Sequence, residues 1–193
     1  YNPVRGARPL WDFPDGTLAG REYASYLVSE ASGWGLIPPT VLREGPFGRG
    51  MVQLWVDVDD ENGLVDVLAP EELPEGWVTV LRAQDQHGDP LILAHDDDKD
   101  LQRLAVLDLV LNNADRKGGH ILRATDGRVV GIDHGVSLNS DAKLRTVLWG
   151  WMGQPLPEDA LEMLERLRSR MRDSLAGELA EHITGQEVRA IDD

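Results

Sequence analysis

The stretch from 113 to 135 leaves this chain few ways to fold. It reads Asn-Ala-Asp-Arg-Lys-Gly-Gly-His-Ile-Leu-Arg-Ala-Thr-Asp-Gly-Arg-Val-Val-Gly-Ile-Asp-His-Gly. A helix-like apolar run leads into Asp115 and Arg116. A Gly-Gly step follows, and then His120. Two short apolar runs joined at Asp126-Gly127 predict a hairpin, because Asp-Gly readily supplies the positive φ of a tight turn. The second run ends in Asp133-His134-Gly135. The pattern therefore brings two carboxylates and an imidazole together at the ends of a rigid hairpin.

The rest of the chain builds around that segment. Residues 1 to 18 are rich in Pro, Gly and aromatics and read as a loop that wraps a surface. The opening residues read as a strand end, so the chain is expected to begin part-way into a larger domain. Residues 19 to 33 read as a helix, with an apolar face of Leu18, Tyr23, Tyr26, Leu27, Val28 and Ala31. Strands are expected over 36–43 and 51–58, joined through Gly-Pro-Phe-Gly-Arg-Gly. The second runs into an acidic turn of Asp57, Asp59, Asp60 and Glu61. Residues 62 to 100 carry Gly and Pro punctuation and predict an irregular linker with one short helix or strand pair. The Asp96–Asp100 cluster is placed to cap the next helix. Residues 101 to 112 are apolar on nearly every face and predict a buried helix. Asp108 within it needs a partner, for which Arg116 or a nearby backbone donor would serve. After Pro155 and Pro157, a stripe of Leu161, Leu164, Leu167, Met171, Leu175 and Leu179 predicts one long amphipathic helix.

Charge and composition narrow the function. The net charge of -15 disfavours nucleic acid and anionic membrane surfaces, although local cations and Mg²⁺ can still seat a nucleotide. No apolar run approaches the length of a membrane-spanning helix. The chain has no cysteine, which excludes disulfides and thiolate metal sites and fits a cytoplasmic location. Within the central segment, phosphoryl transfer needs metal ligands, a group that orients the acceptor hydroxyl, and cations on the phosphates. Asp133, at a strand end beside Gly135, is the candidate Mg²⁺ ligand. Asp115 is the candidate acceptor-orienting base, and His120 is placed as a second metal ligand. Arg5 and Arg8 could meet phosphates.

Asn-Ala-Asp-Arg-Lys-Gly-Gly-His-Ile-Leu followed by Gly-Ile-Asp-His-Gly resembles the catalytic loop and metal motif of the phosphatidylinositol 3- and 4-kinase superfamily. That pattern is Asp-Arg-His-X-X-Asn-Ile-Leu and then Ile-Asp-Phe-Gly. The chain more closely resembles the actinobacterial PI3/PI4-kinase-like family. There Tyr-Lys-Pro-Val-Arg-Gly, Trp-Asp-Phe-Pro-Asp-Gly-Thr-Leu, Trp-Gly-Leu-Pro-Pro-Thr and Leu-Arg-Thr-Val-Leu-Trp-Gly-Trp recur. The resemblance implies an α+β, protein-kinase-like two-lobed fold. Residues 1–60 would be a partial, truncated N-terminal lobe, with a helix, antiparallel strands and a hinge. Residues 61–193 would be a mostly helical C-terminal lobe.

It also implies roles. Asp115 would be the catalytic base and Arg116 its structural partner. Asp133 would hold Mg²⁺ or Mn²⁺, with His120 where the superfamily uses Asn; imidazole is the poorer Mg²⁺ ligand. Glu22 would pair with the ATP-contacting lysine, and Gln53, Leu54, Trp55 and Val56 would form the hinge at adenine. The lysine is expected at position 2, where this chain has Asn2. The implied cofactors are ATP and the divalent metal. The implied partner is an unidentified hydroxyl acceptor, a protein Ser/Thr or a small molecule ahead of a lipid, with no nucleic acid and no integral membrane association. A nucleotide-binding pseudokinase and an AMP-transferring enzyme remain alternatives.

Overall fold

The structure is a computed structural model that describes residues 1–5, 10–14, 17–59 and 63–192. Arg8, Asp60 and Glu61 lie outside the described residues. The molecule is mixed α and β.

Thr17 opens the first helix, its hydroxyl accepting the Gly20 N–H at 2.9 Å. That bond satisfies one of the donors every helix start leaves free. Helix α1 spans Leu18–Ser32 and stops at Gly33, whose φ is 78°. A left-handed stop of this kind suits glycine. Ten of its 15 residues are buried, among them Arg21, Glu22, Ser25, Ser29 and Ser32. Arg21 and Ser29 use that burial to tie the helix to other segments. The Ser29 hydroxyl accepts the Leu36 and Ile37 N–H groups, pinning the following segment back on the helix. Arg21 donates to the Ser137 and Leu138 carbonyls at 3.0 and 3.2 Å, and to Glu187 Oε1 at 2.6 Å.

The first sheet has the order β1-β3-β2, all antiparallel, with β1 Asn2–Pro3, β2 Thr40–Gly45 and β3 Gly48–Gln53. The expected strands at 36–43 and 51–58 are displaced. Pro38 and Pro39 have no N–H to donate, so pairing begins only at Thr40. Gly45 pairs with Gly48 across a two-residue turn, and residues after Gln53 leave the sheet. Gly50 is required where β1 passes: a Cβ there would lie 2.6 Å from the Asn2 carbonyl oxygen.

Residues 62 to 100 are not an irregular linker. They form a second antiparallel sheet in the order β4-β6-β5: β4 Val65–Leu68, β5 Trp77–Gln84 and β6 Pro90–Asp96, with a 3₁₀ turn at Pro70–Glu72. The Gly and Pro residues read as linker punctuation are the turns between these strands. No period-2 signal marks β5, because it runs from half-buried to exposed with no buried side.

Helix α2, Lys99–Leu111, lies at the centre of the core. Asp98 caps it by accepting the Asp100 and Leu101 N–H groups. Leu101, Leu104, Leu107 and Leu111 are fully buried, whereas Leu109 is exposed, so one face reaches the surface. The expected hairpin is β7 Ile121–Arg123 and β8 Val129–Gly131, turning at Gly127 with φ 88°.

The long helix expected near the C-terminus is continuous over Ala160–Leu179 but changes type along its length. Helix α3 covers Ala160–Arg170, a π-helical turn covers Met171–Leu175, and α4 covers Ala176–Leu179; α5 follows at Gly185–Asp192. Leu161 is exposed, and the core takes Ala160 and Met163 instead. From Leu167 onward the buried residues recur every fourth position. In a plain α-helix each such step overshoots a full turn by about 40°. The wider π turn takes back that drift and keeps Met171, Leu175 and Leu179 on the core. Among the described residues no helix is long and apolar enough to cross a membrane.

The turn at Trp149–Trp151 is clamped to the end of β6. Gly150 N–H donates to His95 Nε2 at 3.2 Å, His95 Nδ1 meets the Asp96 carbonyl at 2.9 Å, and Trp151 Nε1 donates to Asp97 at 2.7 Å. A Cβ on Gly150 would lie 2.3 Å from His95 Nε2 and 2.8 Å from Val78 Cγ1. Gly150→Ala is expected to destabilise the chain by about 1–3 kcal/mol, the usual cost of overpacking. A urea midpoint unchanged from wild type would show that the clamp is not as tight as drawn.

Candidate active site

Asp108 and Arg116 come first, because they place everything else. Both side chains are fully buried, and Arg116 Nη2 lies 2.8 Å from Asp108 Oδ1 while Nε lies 2.9 Å from Oδ2. Two parallel bonds to one carboxylate are the strongest form of this pairing. Asn113 Nδ2 also donates to Asp108, at 3.0 Å. The partner expected for Asp108 is therefore present. Arg116 does more than neutralise it. Its Nη1 donates to the Ile132 carbonyl at 2.9 Å and the His120 carbonyl at 3.3 Å, and Nη2 meets His134 Nε2 at 2.6 Å. One guanidinium thus joins the end of α2, both ends of the hairpin and the residue after Asp133.

The chain on either side is held to match. Asn112 ends α2 in a left-handed conformation with φ 48°. Its side chain bonds the Asn139 and Asp141 carbonyls and the Lys143 N–H. Asn113 Oδ1 accepts the Asp115 N–H at 3.0 Å. Ala114 N–H donates to Val136, and Arg116 N–H to Arg145. Asp133 itself has φ 58°, an uncommon conformation for a residue with a side chain. It holds there between the Arg116 bonds to Ile132 and His134.

This framework pushes Asp115 and Asp133 outward, with side chains 48% and 59% exposed. Lys117 Nζ lies 2.7 Å from Asp115 Oδ2. Its affinity for a proton is raised first by that bond, then by the charges of Asp115 and Asp133, so one ammonium stands in the field of both carboxylates. His120 Nε2 faces Asp133 Oδ2 at 3.3 Å, and its buried Nδ1 has no hydrogen-bond partner among the described residues. Among the described residues no three His, Asp or Glu side chains are grouped to hold an ion by themselves.

Two neighbours are sorted by burial. His134 accepts from Arg116 through Nε2, which leaves its proton on Nδ1. Burial, and then the charge of Arg116, hold its pKa well below the ordinary imidazole value, so it is neutral. Glu22 from α1 is 4% exposed and approaches the backbone N–H groups of His134 and Gly135. Burial pushes its pKa up to about 7, and the negative charge of Asp133 adds to the shift. A Cβ on Gly135 would lie 3.6 Å from its Oε1.

The other expected residues are placed as follows. Asn2 lies exposed on β1, paired with Met51, and among the described residues it makes no hydrogen bond to Glu22. Gln53 donates to the Thr40 hydroxyl at 2.9 Å. Leu54 N–H donates to the Pro39 carbonyl, and the Leu54 and Trp55 side chains are exposed while Val56 is half-buried. Just beyond, Asp59 N–H bonds Arg123 and Thr125 N–H bonds Asp57, so this segment runs beside the hairpin. Arg5 is exposed. Sequence reasoning missed Lys117, Asn113 and His134. Lys117 carried a signal only in its spacing two residues after Asp115.

No family model matches this chain. Protein Rv2133c of Mycobacterium tuberculosis is 50% identical over 200 aligned positions, covering 99% of this chain and 72% of that protein. The chain belongs to the Rv2133c family. A more distant likeness is to phosphatidylinositol 4-kinase gamma 4 of rice, 28% identical over 168 positions. It covers 75% of this chain but a quarter of the rice protein. That likeness supports at most a kinase-like relation for this chain.

Two outcomes follow from the buried groups. Asp108→Ala leaves the Arg116 charge buried without a counter-charge, and a loss of about 3–5 kcal/mol is expected in urea unfolding; a loss below about 1 kcal/mol would remove the pair from its central place. For Glu22 the folded pKa lies above the unfolded one. Its contribution is therefore full below the unfolded value and declines as pH rises to about 7. Glu22→Gln removes that titration. Relative to wild type, the variant should gain stability between pH 5 and pH 8, by on the order of 3 kcal/mol. An unchanged difference across that range would show an ordinary carboxylate.

Proposed function

We propose that this chain is the core of an ATP- and divalent-metal-dependent phosphotransferase that acts on a hydroxyl acceptor. The observation that carries the reading is the common face of Asp115 and Asp133. They come from opposite ends of the hairpin, stand exposed, and share the field of Lys117. Phosphoryl transfer asks the protein mainly for positioning and charge, and this face offers both.

Asp115 orients the acceptor hydroxyl and takes its proton. Arg116 keeps the loop in register through Asp108. Lys117 is the cation nearest the two carboxylates and is suited to a transferring phosphate. Asp133 with His120 fits a metal that is also held by nucleotide phosphates, since Mg²⁺ usually takes only one or two protein ligands beside substrate oxygens. The Asp133–His120 contact, at 3.3 Å, keeps both side chains within reach of one polar ligand. Such an ion, Mg²⁺ or Mn²⁺, would neutralise charge on the phosphates.

The reading extends to a kinase-like arrangement of two lobes, residues 1–60 and 61–193. Position 2 lies on β1, paired with the β3 strand that runs into Gln53–Val56, and α1 carries Glu22 between β1 and β2. A kinase lysine and helix glutamate occupy comparable places. Asn2 cannot supply that cation. The net charge of -15 favours a protein hydroxyl or small molecule over a lipid in an anionic membrane.

A second reading, a nucleotide-binding module without turnover, is favoured by Asn2 and by Glu22 facing the His134 and Gly135 backbone with no cation bonded to it among the described residues. Labelled ATP separates the two. Transfer to a soluble acceptor, or to a second copy of the chain, should fall about 10²-fold or more in Asp115→Asn and in Asp133→Asn. ATP binding with no turnover, indifferent to Asp115→Ala, would establish the second reading. Transfer to phosphatidylinositol vesicles alone would overturn the preference for a soluble acceptor.

A further inference from the structure

Away from the carboxylate face, the turn after the hairpin borders a cleft of about 530 Å³ against the C-terminal helices. Ser140 lines one wall. Arg172 of the π turn and Arg189 of α5 line the other, with Gln186 and Asp192. The backbone around Ser140 is fixed on both sides, since Asn112 Nδ2 bonds the carbonyls of Asn139 and Asp141, and Asp141 N–H bonds Asn139 Oδ1. Its half-buried side chain is nevertheless left over: the hydroxyl makes no hydrogen bond among the described residues. Arg172 and Arg189 are exposed and make no ion pair among the described residues, in a chain with 34 acidic residues. Asp192, the acid in the same wall, is already engaged by Arg168 at 3.5 Å.

Two arginines from different helices, lining one cleft with a fixed and unbonded hydroxyl, give that cleft the composition of a phosphoserine cradle. We propose that Ser140 is a phosphorylation site whose phosphate is held by Arg172 and Arg189. In forming it, Ser140 Oγ attacks the γ-phosphorus of a nucleoside triphosphate. The new O–P bond forms as the bond from that phosphorus to the β–γ bridging oxygen breaks. The nucleoside diphosphate leaves, and the hydroxyl proton passes to a base of the kinase acting on this chain.

The consequence is mechanical. The segment from Ser137 to Asp141 is tied to the C-terminal helices once already, through Arg21, which bonds the Ser137 and Leu138 carbonyls and Glu187 of α5. A phosphate at Ser140 adds a second tie between the same two parts. The segment begins two residues after Gly135, so the modification firms the support of the Asp133 loop. The cradle does not depend on the chain being a kinase itself.

The test is the full chain carrying phosphoserine at position 140, placed by genetic encoding and followed by ³¹P NMR. The second phosphate ionisation, ordinarily near pH 6, should fall by about one unit beside two guanidinium groups. The shift should shrink in Arg172→Gln and in Arg189→Gln and vanish in the double variant; both positions are exposed and tolerate the change. The modified chain should also melt at higher temperature than the unmodified one, and the double variant should lose that gain. A phosphate that titrates as in a free peptide overturns the cradle. Phosphate mapping on the chain from the cells that make it should find Ser140 modified, and phosphate confined to other residues overturns the site.

Discussion

The buried pair of Asp108 and Arg116 is the constraint on which the rest depends. A charge taken out of water costs several kcal/mol unless it is paired and its remaining hydrogen-bonding groups are satisfied. Arg116 meets that condition only if Asp108, the His120 and Ile132 carbonyls and His134 all converge on it. Those groups come from α2, both ends of the hairpin and the Asp-His-Gly turn. The demand of one guanidinium for partners therefore fixes four pieces of chain at once. A hydrophobic residue at position 116 could fill the same volume but could not specify which carbonyls meet.

Helix α1 extends the same logic outward. Its buried polar residues would be a liability if unpaired, yet Arg21 and Ser29 each join the helix to a different segment. Leu138, with φ 64°, sits where Arg21 takes its carbonyl and where its own N–H bonds the end of α2. The α1 helix thereby braces the Asp133 loop from the side opposite the hairpin. Glu22 makes the last contact, against the His134 and Gly135 backbone.

What the sequence revealed follows from where each signal was local. The cap at Asp98 and the Asp126-Gly127 turn are set by neighbours in the chain, and both were legible; the Thr17 cap went unread. The need of Asp108 for a partner was legible too, with Arg116 or a backbone donor to supply it, because a carboxylate in an apolar helix has to be answered nearby. The second sheet was not legible, because β5 offers no buried side and so no alternation. The π turn was hidden for a different reason: a run of apolar residues at every fourth position fits an α-helix by eye, and only the accumulated rotation betrays it. Asn113 escaped notice because its value lies in two bonds, to Asp108 and to the Asp115 N–H, that exist only after folding.

Depth sorts the charges of the candidate site. Arg116 is charged and matched by Asp108 in the interior. His134, buried against that cation, is kept neutral, and Glu22 is held near the point where it loses its charge. The ionised carboxylates of Asp115 and Asp133 and the ammonium of Lys117 are left at the surface. A cation or a phosphate approaching this face meets the surface charges first, and meets them in a geometry set by the interior ones. The same sorting leaves a cation on the face of so acidic a chain: Lys117 is bonded to Asp115 and stands in the field of Asp133.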